Sequence, residues 1–307
     1  MVSRFVVVGD LSLDIVVAQS GPPREGSDVP AAIRVGPGGQ GANVAVRLAR
    51  QGAEVALVAP MAEDAAGRLL REALDAEGLE LRPLPITRST VVIALLDASG
   101  ERTMISDRQT LDATAVGPML ADAGWIHCSG YALLDDLSGD TLARVLGERA
   151  GRVRLSVAGG SVPPERSRVE RLRLRLANAR PDLLLLSRGE AESMLGARPA
   201  SGLAAARALR ELAPVLVVTS GADGSAAVSG GRELQVAAPA LSGGALDATG
   251  AGDAYLAGVL IELAEAGGWP PAEGPLRAAM QRGSLLGAQV ARVFGAQGRV
   301  IGEEGSS

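Results

Sequence analysis

Short, almost unbroken apolar runs alternate along this chain with longer stretches in which apolar residues recur every three or four positions. The runs at 5–8, 54–58, 125–128, 153–157, 183–186 and 215–219 are rich in Val, Ile and Leu and predict strands. The stretches between them predict helices over 43–50, 64–77, 139–149, 169–179 and 203–212, with Gly52 and Gly78 placed to close the first two. Strands that are apolar along their whole length, with helices between them, predict a mostly parallel sheet covered on both faces.

Two regions break this rhythm. The segments 90–96 and 101–106 flank Asp97-Ala98-Ser99-Gly100, a turn-forming loop, and predict a hairpin. Further β segments at 15–18 and 31–35 surround a link rich in Pro and Gly. Together they predict a small β-sheet beside the α/β core, either a lid over a site or a decorated edge. The expected organisation is one domain over 1–307, with segments at about 11–37 and 84–108 forming the small β subdomain. The segment 166–175 carries five arginines and is read as a solvated helix face rather than an anion site.

Composition narrows the chemistry. The net charge is −5 and aromatics are 2% of the 307 residues, which leaves neither a basic surface nor stacking platforms for a nucleic acid. No apolar run approaches the roughly 18 residues of a membrane span, and 5–8 is too short for a signal-peptide core. One cysteine, Cys128, excludes an intramolecular disulfide and fits a reducing cytoplasm. All 30 basic residues are arginine. A lysine-free chain has no Walker A phosphate site, no protein-kinase active site and no Schiff-base chemistry. His127, the only histidine, lies in Trp125-Ile126-His127-Cys128 and is expected to be a strand residue, so a catalytic proton acceptor is expected to be Asp or Glu.

Two glycine-rich motifs stand out. In Gly36-Pro37-Gly38-Gly39-Gln40-Gly41-Ala42-Asn43, the glycines at 36, 38 and 41 satisfy the G-x-G-x-x-G spacing. A dinucleotide fingerprint, however, should follow the first core strand directly, and nearly thirty residues intervene here. The bare backbone instead offers a surface against which a ligand could lie, with Asn43 as donor and acceptor; a purely structural turn is the alternative. The second motif, Asp247-Ala248-Thr249-Gly250-Ala251-Gly252-Asp253, runs into an apolar helix over 254–263. Free N–H groups at a helix start attract an anion such as a transferring phosphoryl group, and the helix dipole is expected to keep Asp253 ionised as a base. A mere helix cap at Asp247 or Asp253 is the reading these residues leave open.

In order and separation the two motifs resemble those of the ribokinase-like, or PfkB, carbohydrate kinases, and the resemblance covers essentially the whole chain. It implies a three-layer α/β/α fold with a central, mostly parallel sheet and a small β lid. It also implies ATP-dependent phosphoryl transfer to a hydroxyl of a small sugar. Asp253 would be the base, with Gly250, Ala251 and Gly252 as the anion hole. Asp14, Gly38, Gly39 and Asn43 would hold the sugar. Thr219, Gly221 and Gly224 would meet the nucleotide phosphates, with Ser187 and Glu190 on the magnesium side and Ser284 near the adenine. Asp247 and Thr249, with carbonyls around Gly295-Ala296-Gln297, match a monovalent-cation site, expected to take potassium, while Mg2+ would bridge the ATP phosphates. A homodimer through the lid is a further family possibility.

Three positions depart from the pattern. Gln40 stands where the family often has lysine, Ala248 replaces a threonine, and Ser187-Arg188-Gly189-Glu190 replaces Asn-x-x-Glu. Pentoses, hexoses, nucleosides and keto-deoxy sugar acids all remain candidate acceptors. Arg108 is placed to meet a sugar-acid carboxylate or, as the simpler reading, to be a solvated lid arginine. A sugar-binding homologue with weakened transfer is the rival from another functional class.

Overall fold

The computed structural model describes residues 4–19, 21, 25–26, 28–96, 102–240, 249–292 and 297. The strands in chain order are β1 (Phe5–Val8), β2 (Ser12–Gln19), β3 (Ala31–Gly38), β4 (Val55–Met61), β5 (Glu80–Pro85), β6 (Thr90–Leu96) and β7 (Arg102–Asp107). They continue with β8 (Trp125–Cys128), β9 (Arg154–Ala158), β10 (Leu183–Ser187), β11 (Val215–Thr219), β12 (Ser225–Ser229) and β13 (Arg232–Val236). The helices are α1 (Gln40–Arg50), α2 (Ala65–Asp75), α3 (Gly130–Leu134), α4 (Gly139–Gly147), α5 (Arg166–Ala179), α6 (Arg188–Leu195), α7 (Gly202–Ala208), α8 (Ala251–Ala266) and α9 (Glu273–Val290).

Nine strands form one sheet in the order β13-β12-β11-β10-β9-β8-β1-β4-β5. The pairs from β11 to β5 are parallel, and β12 and β13 add an antiparallel hairpin at one edge. Alternation explains why the central strands are apolar throughout. Val6 and Val8 of β1 join a core with α4, α5 and α7, while Phe5 and Val7 join the opposite core with α1, α8 and α9. Each strand is sandwiched, so both of its faces must be apolar. At the far edge β5 carries Pro83 and Pro85, which an outer strand tolerates because one side needs no ladder donors.

The remaining four strands form a separate sheet in the order β3-β2-β6-β7. Its two antiparallel hairpin pairs, β2–β3 and β6–β7, are joined by the parallel pair β2–β6. The predicted hairpin over 90–106 is present, its turn at 97–100 lying outside the described residues. This small sheet also explains why the glycines at 36, 38 and 41 are no dinucleotide fingerprint: Gly36 and Gly38 lie in β3 of the small sheet and Gly41 in α1, so no core strand leads into them.

The arginine-rich segment is α5, and its reading as a solvated face holds only in part. Arg166, Arg171 and Arg173 make exposed ion pairs with Glu170, Asp136 and Glu211. Arg175 is instead 2% exposed. Its Nε donates to Asp140 at 2.7 Å and its Nη1 to the Leu133 carbonyl at 2.7 Å, which ties α5 to α3 and α4. A guanidinium this buried needs both partners, since an unpaired one would carry a large desolvation cost. His127 is a fully buried strand residue, as expected, with Nδ1 3.1 Å from Ser156 Oγ. Among the described residues no helix is long and apolar enough to cross a membrane.

Candidate active site

Gly9 and Asp10 follow the end of β1, and the carboxylate of Asp10 draws the first glycine motif onto the core. It accepts the backbone N–H groups of Gln40 at 3.0 Å and Gly41 at 3.2 Å, the first turn of α1. A negative charge at a helix start is favoured by the exposed N–H groups there. The approach is close enough to require glycine: Gly39 has φ 99°, and a Cβ on it would lie 2.5 Å from the Asp10 carbonyl oxygen. Gln40, one of the departures from the family pattern, turns its Oε1 to the core and accepts from the Gly130 N–H at 2.9 Å, with the Ser129 hydroxyl also 2.9 Å away. That hydroxyl lies 2.7 Å from Asp10. Asp10 is thus a hub that the motif reading passed over. Its signal was present in the sequence: an acid directly after the first core strand, at the carboxyl edge where open α/β sheets bind ligands.

Asp14 projects from β2 beside Gly38. A Cβ at residue 38 would run into the Asp14 carboxyl, so the glycine is what lets this side chain lie across the strand pair. Burial pushes the Asp14 carboxyl up to about 6, while the Ser12 hydroxyl, donating at 2.6 Å, holds it down and the charge of Asp10 adds to the rise.

The second motif begins α8. Gly250 is its N-cap and Asp253 lies in its first turn, so the N–H groups of residues 251–253 open at the helix mouth. The space in front of Gly252 is clear of other atoms. Asn43 of α1 donates Nδ2–H to Asp253 Oδ2 at 2.9 Å, bringing the two motifs together across 210 positions of sequence. Asn43 is itself held, because Gln297 donates Nε2–H to its Oδ1 at 3.0 Å.

The helix dipole, expected to keep Asp253 ionised at neutral pH, does not act alone on its carboxyl. Burial dominates and pushes its carboxyl up to about 7; the Asn43 hydrogen bond opposes this, Asp10 and Glu190 add to it, and Arg47 opposes it. The residue keeps part of its surface open to the cleft. A dipole worth a fraction of a charge cannot match the loss of hydration together with two neighbouring acids.

Ser187 and Thr219 are paired in register as the last residues of β10 and β11, so the two strand ends sit side by side. Ser187 caps α6: its hydroxyl accepts the Glu190 N–H at 3.2 Å, and Glu190 Oε2 accepts the Ser187 N–H at 2.7 Å. The other Glu190 oxygen accepts the Ser161 N–H at 2.9 Å. Serine therefore takes over a capping position, and Glu190 is fixed by two backbone donors. Gly221 and Gly224 bound a tight turn just past β11, closed by the Ser220 N–H donating to the Gly224 carbonyl at 2.8 Å. Ser284 is half-buried on α9, the helix packed along α8.

Of the expected cation site, Asp247, Gly295 and Ala296 lie outside the described residues, and Thr249 directly precedes the α8 cap. The Gln297 carbonyl is engaged by Arg50 Nη1 at 2.7 Å. Among the described residues no group of three or more His, Cys, Asp or Glu side chains could hold a metal ion alone.

Arg108 is exposed at the end of β7, in line with a lid arginine, yet it also reaches the core. Its guanidinium carbon lies 3.9 Å from the centroid of the Tyr131 ring, and its Nη1 is 3.2 Å from Asp10. Tyr131 in turn holds Ser161 through its hydroxyl at 2.6 Å. Arg108 thus joins the end of β7 to the core across the cleft. Tyr131 carried no sequence signal, because a lone tyrosine after a strand reads as core.

The fold agrees with the comparisons. The profile of the pfkB family carbohydrate kinases matches residues 2–301. The aminoimidazole riboside kinase of Salmonella typhimurium is 28% identical, with 96% of this chain and 91% of that protein covered. The fructokinase of Klebsiella pneumoniae is 32% identical, with 87% and 86% covered. Among solved structures, the ribokinase of Thermotoga maritima superposes with a TM-score of 0.78 at 19% identity, over 97% of this chain and 95% of that one. This chain belongs to the pfkB family of carbohydrate kinases, enzymes that use ATP to phosphorylate a hydroxyl of a small sugar.

Proposed function

We propose that Asp253 is the base of this kinase, and the observation that carries the reading is its hydrogen bond to Asn43, which unites the two glycine motifs in one cleft. Asp253 takes the proton of the acceptor hydroxyl as that oxygen bonds to the γ-phosphorus. The bond from phosphorus to the bridging oxygen breaks, and ADP carries away the electron pair. The N–H groups of Gly250, Ala251 and Gly252 face the oxygens of the transferring group, where negative charge gathers. Asp14, Asn43 and the backbone at Gly38 and Gly39 hold the sugar hydroxyls.

Thr219, Gly221 and Gly224 meet the nucleotide phosphates at the edge of β11, with Ser187 and Glu190 beside them and Ser284 on the adenine side. Mg2+ carried with ATP would neutralise phosphate charge, and Glu190 is oriented towards that side by its two backbone donors. Asp247 and Thr249 would bind a monovalent cation, K+, that orders the loop before α8. The carbonyl of Gln297 is not counted among its ligands, since Arg50 occupies it.

The acceptor is a neutral sugar. Arg108, the cation best placed for a sugar acid, is already paired with Asp10 and stacked on Tyr131. Fructose- and riboside-type acceptors are the first to test, after the relatives' names. The small sheet, over about 11–37 and 84–108, acts as a lid within a single domain. Its face opposite Asp14 is aliphatic: Val17 pairs with Ile33 and Leu95, and Ile15 pairs with Ile93, which pairs with Ile105. Ile33 is 62% exposed and Ile105 54%, which supports a homodimer through this face.

ADP release over a panel of sugars and nucleosides is expected to select a neutral polyol; binding without turnover would favour the weakened homologue. Asp253→Asn is expected to bind ATP and sugar but turn over about 10²–10⁴ times more slowly, and near-wild-type rates would reject the base. In the wild-type enzyme kcat/KM should fall about tenfold per pH unit below pH 7, following protonation of the carboxyl pushed up to about 7.

The same carboxyl affects stability. Its native value lies above the unfolded 3.8, so the native state holds the proton more tightly and loses stability as pH rises from about 4 to about 7. Asp253→Asn should therefore raise Tm by roughly 2–6 °C at pH 8 and leave it unchanged near pH 4, as read by calorimetry. Rates should rise severalfold in K+ over Na+ or tetramethylammonium at equal ionic strength; equal rates in all three would remove the cation site. Sedimentation is expected to show a dimer that Ile33→Lys with Ile105→Lys dissociates, and a wild-type monomer at micromolar concentration would end that proposal.

A further inference from the structure

One motif identified in the sequence has no role in the mechanism above: Gln297, far along the chain beyond α9. It is 2% exposed, and its position is secured at both ends. Its carbonyl accepts from Arg50 Nη1 at 2.7 Å, while Arg50 Nε and Nη2 grip Glu77 at 2.8 and 2.6 Å. Its side chain donates to Asn43 Oδ1 at 3.0 Å, and Asn43 donates to Asp253 Oδ2 at 2.9 Å.

A row of amides has a sense of direction. An amide has one end that accepts and one that donates, so whichever end of Asn43 faces Gln297, the opposite end faces Asp253. With Gln297 donating, Asn43 must accept on that side and show its NH2 to the carboxylate. Reversed, Asn43 would show its oxygen, and only a protonated Asp253 could meet it. We propose that Gln297 is a positioning residue that locks the amide of Asn43 with its donor towards Asp253, and so holds the base in its ionised, proton-accepting form. The inference rests on the reading of Asp253 as the base.

The lock matters because the surroundings of Asp253 favour the proton. Asp10 beyond β1 and Glu190 on α6 both disfavour its charge, and burial does so more strongly. Arg47 on α1 and the Asn43 donor are the groups that oppose them. Losing the direction of one amide would remove a donor and also supply an acceptor, which moves the balance twice in the same sense.

The test titrates the Asp253 carboxyl by 13C NMR in the full-length enzyme, with Asp253→Asn identifying the resonance, alongside the pH dependence of kcat. Gln297→Met, similar in volume but without a donor, is expected to raise the titration by about one unit, so that turnover below pH 7 falls about tenfold and recovers at pH 9. Gln297→Glu, which can only accept, should raise it further. In an Asn43→Ala background Gln297→Met should move the titration no further, because the relay is already cut. An unmoved titration in the folded Gln297 variants, or an equal shift with and without Asn43, would overturn the inference. Wild-type turnover by Asp253→Asn would instead overturn the base while leaving the relay's effect on the carboxyl intact.

Discussion

The hydrogen bond between Asn43 and Asp253 is the contact on which the rest of the site depends. It joins the first turns of two helices, α1 and α8, that start at opposite ends of the chain and pack side by side on one face of the large sheet. Both helices point N–H groups into the same cleft, so the cleft is a place where negative charge is welcome. The residues that bring the helix starts there are themselves acids: Asp10 pins α1 by its first N–H groups, and Asp253 sits in the first turn of α8. Burial and the neighbouring acids raise the proton affinity of Asp253, and few groups oppose that rise.

That balance explains the departures from the family pattern. Gln40 does not fill the cleft with a charge; it accepts from Gly130 and helps fix the end of β8. Arg108 reaches Asp10 from the end of β7 and supplies a positive charge beside it. Because that arginine comes from the small sheet, the same ion pair that moderates the charge also draws the sheet to the core. Ser187 keeps the helix start of α6 capped, so Glu190 is held in place without the asparagine the family usually has.

Much of the fold was legible because burial on two faces leaves a plain mark on sequence. Residues 5–8, 125–128 and 215–219 are strands with those same bounds. The edges were not legible: β5 is polar and broken by prolines, and β12 is made of Ser, Ala and Val with little aliphatic bulk. The Gly230-Gly231 pair between β12 and β13 was a usable hairpin signal that went unread. The site was legible as two motifs, and the contact between Asn43 and Asp253 follows from both being placed at helix starts. Its electrostatics were not, because proton affinity depends on which distant residues cover a group. Nothing near Asp253 in sequence announces Asp10, Glu190 or Arg47. Arg175 failed in the same way: its neighbours in sequence are exposed arginines, and only the packing of α5 on α3 and α4 makes it internal.

Burial of Asp253 therefore works in two directions. A base in full contact with water would be ionised at any physiological pH, but too weak to accept a proton from a sugar hydroxyl with useful driving force. Withdrawing it from water strengthens the base and at the same time lowers the fraction that is ionised. The best compromise lies where proton affinity is close to the working pH, and the carboxyl is pushed up to about 7. At that point burial and two acids prevail over an amide and an arginine, which hold the rise in check. Because the amide of Asn43 can add to either side according to which end it presents, its orientation has more leverage on the base than any fixed charge of equal strength.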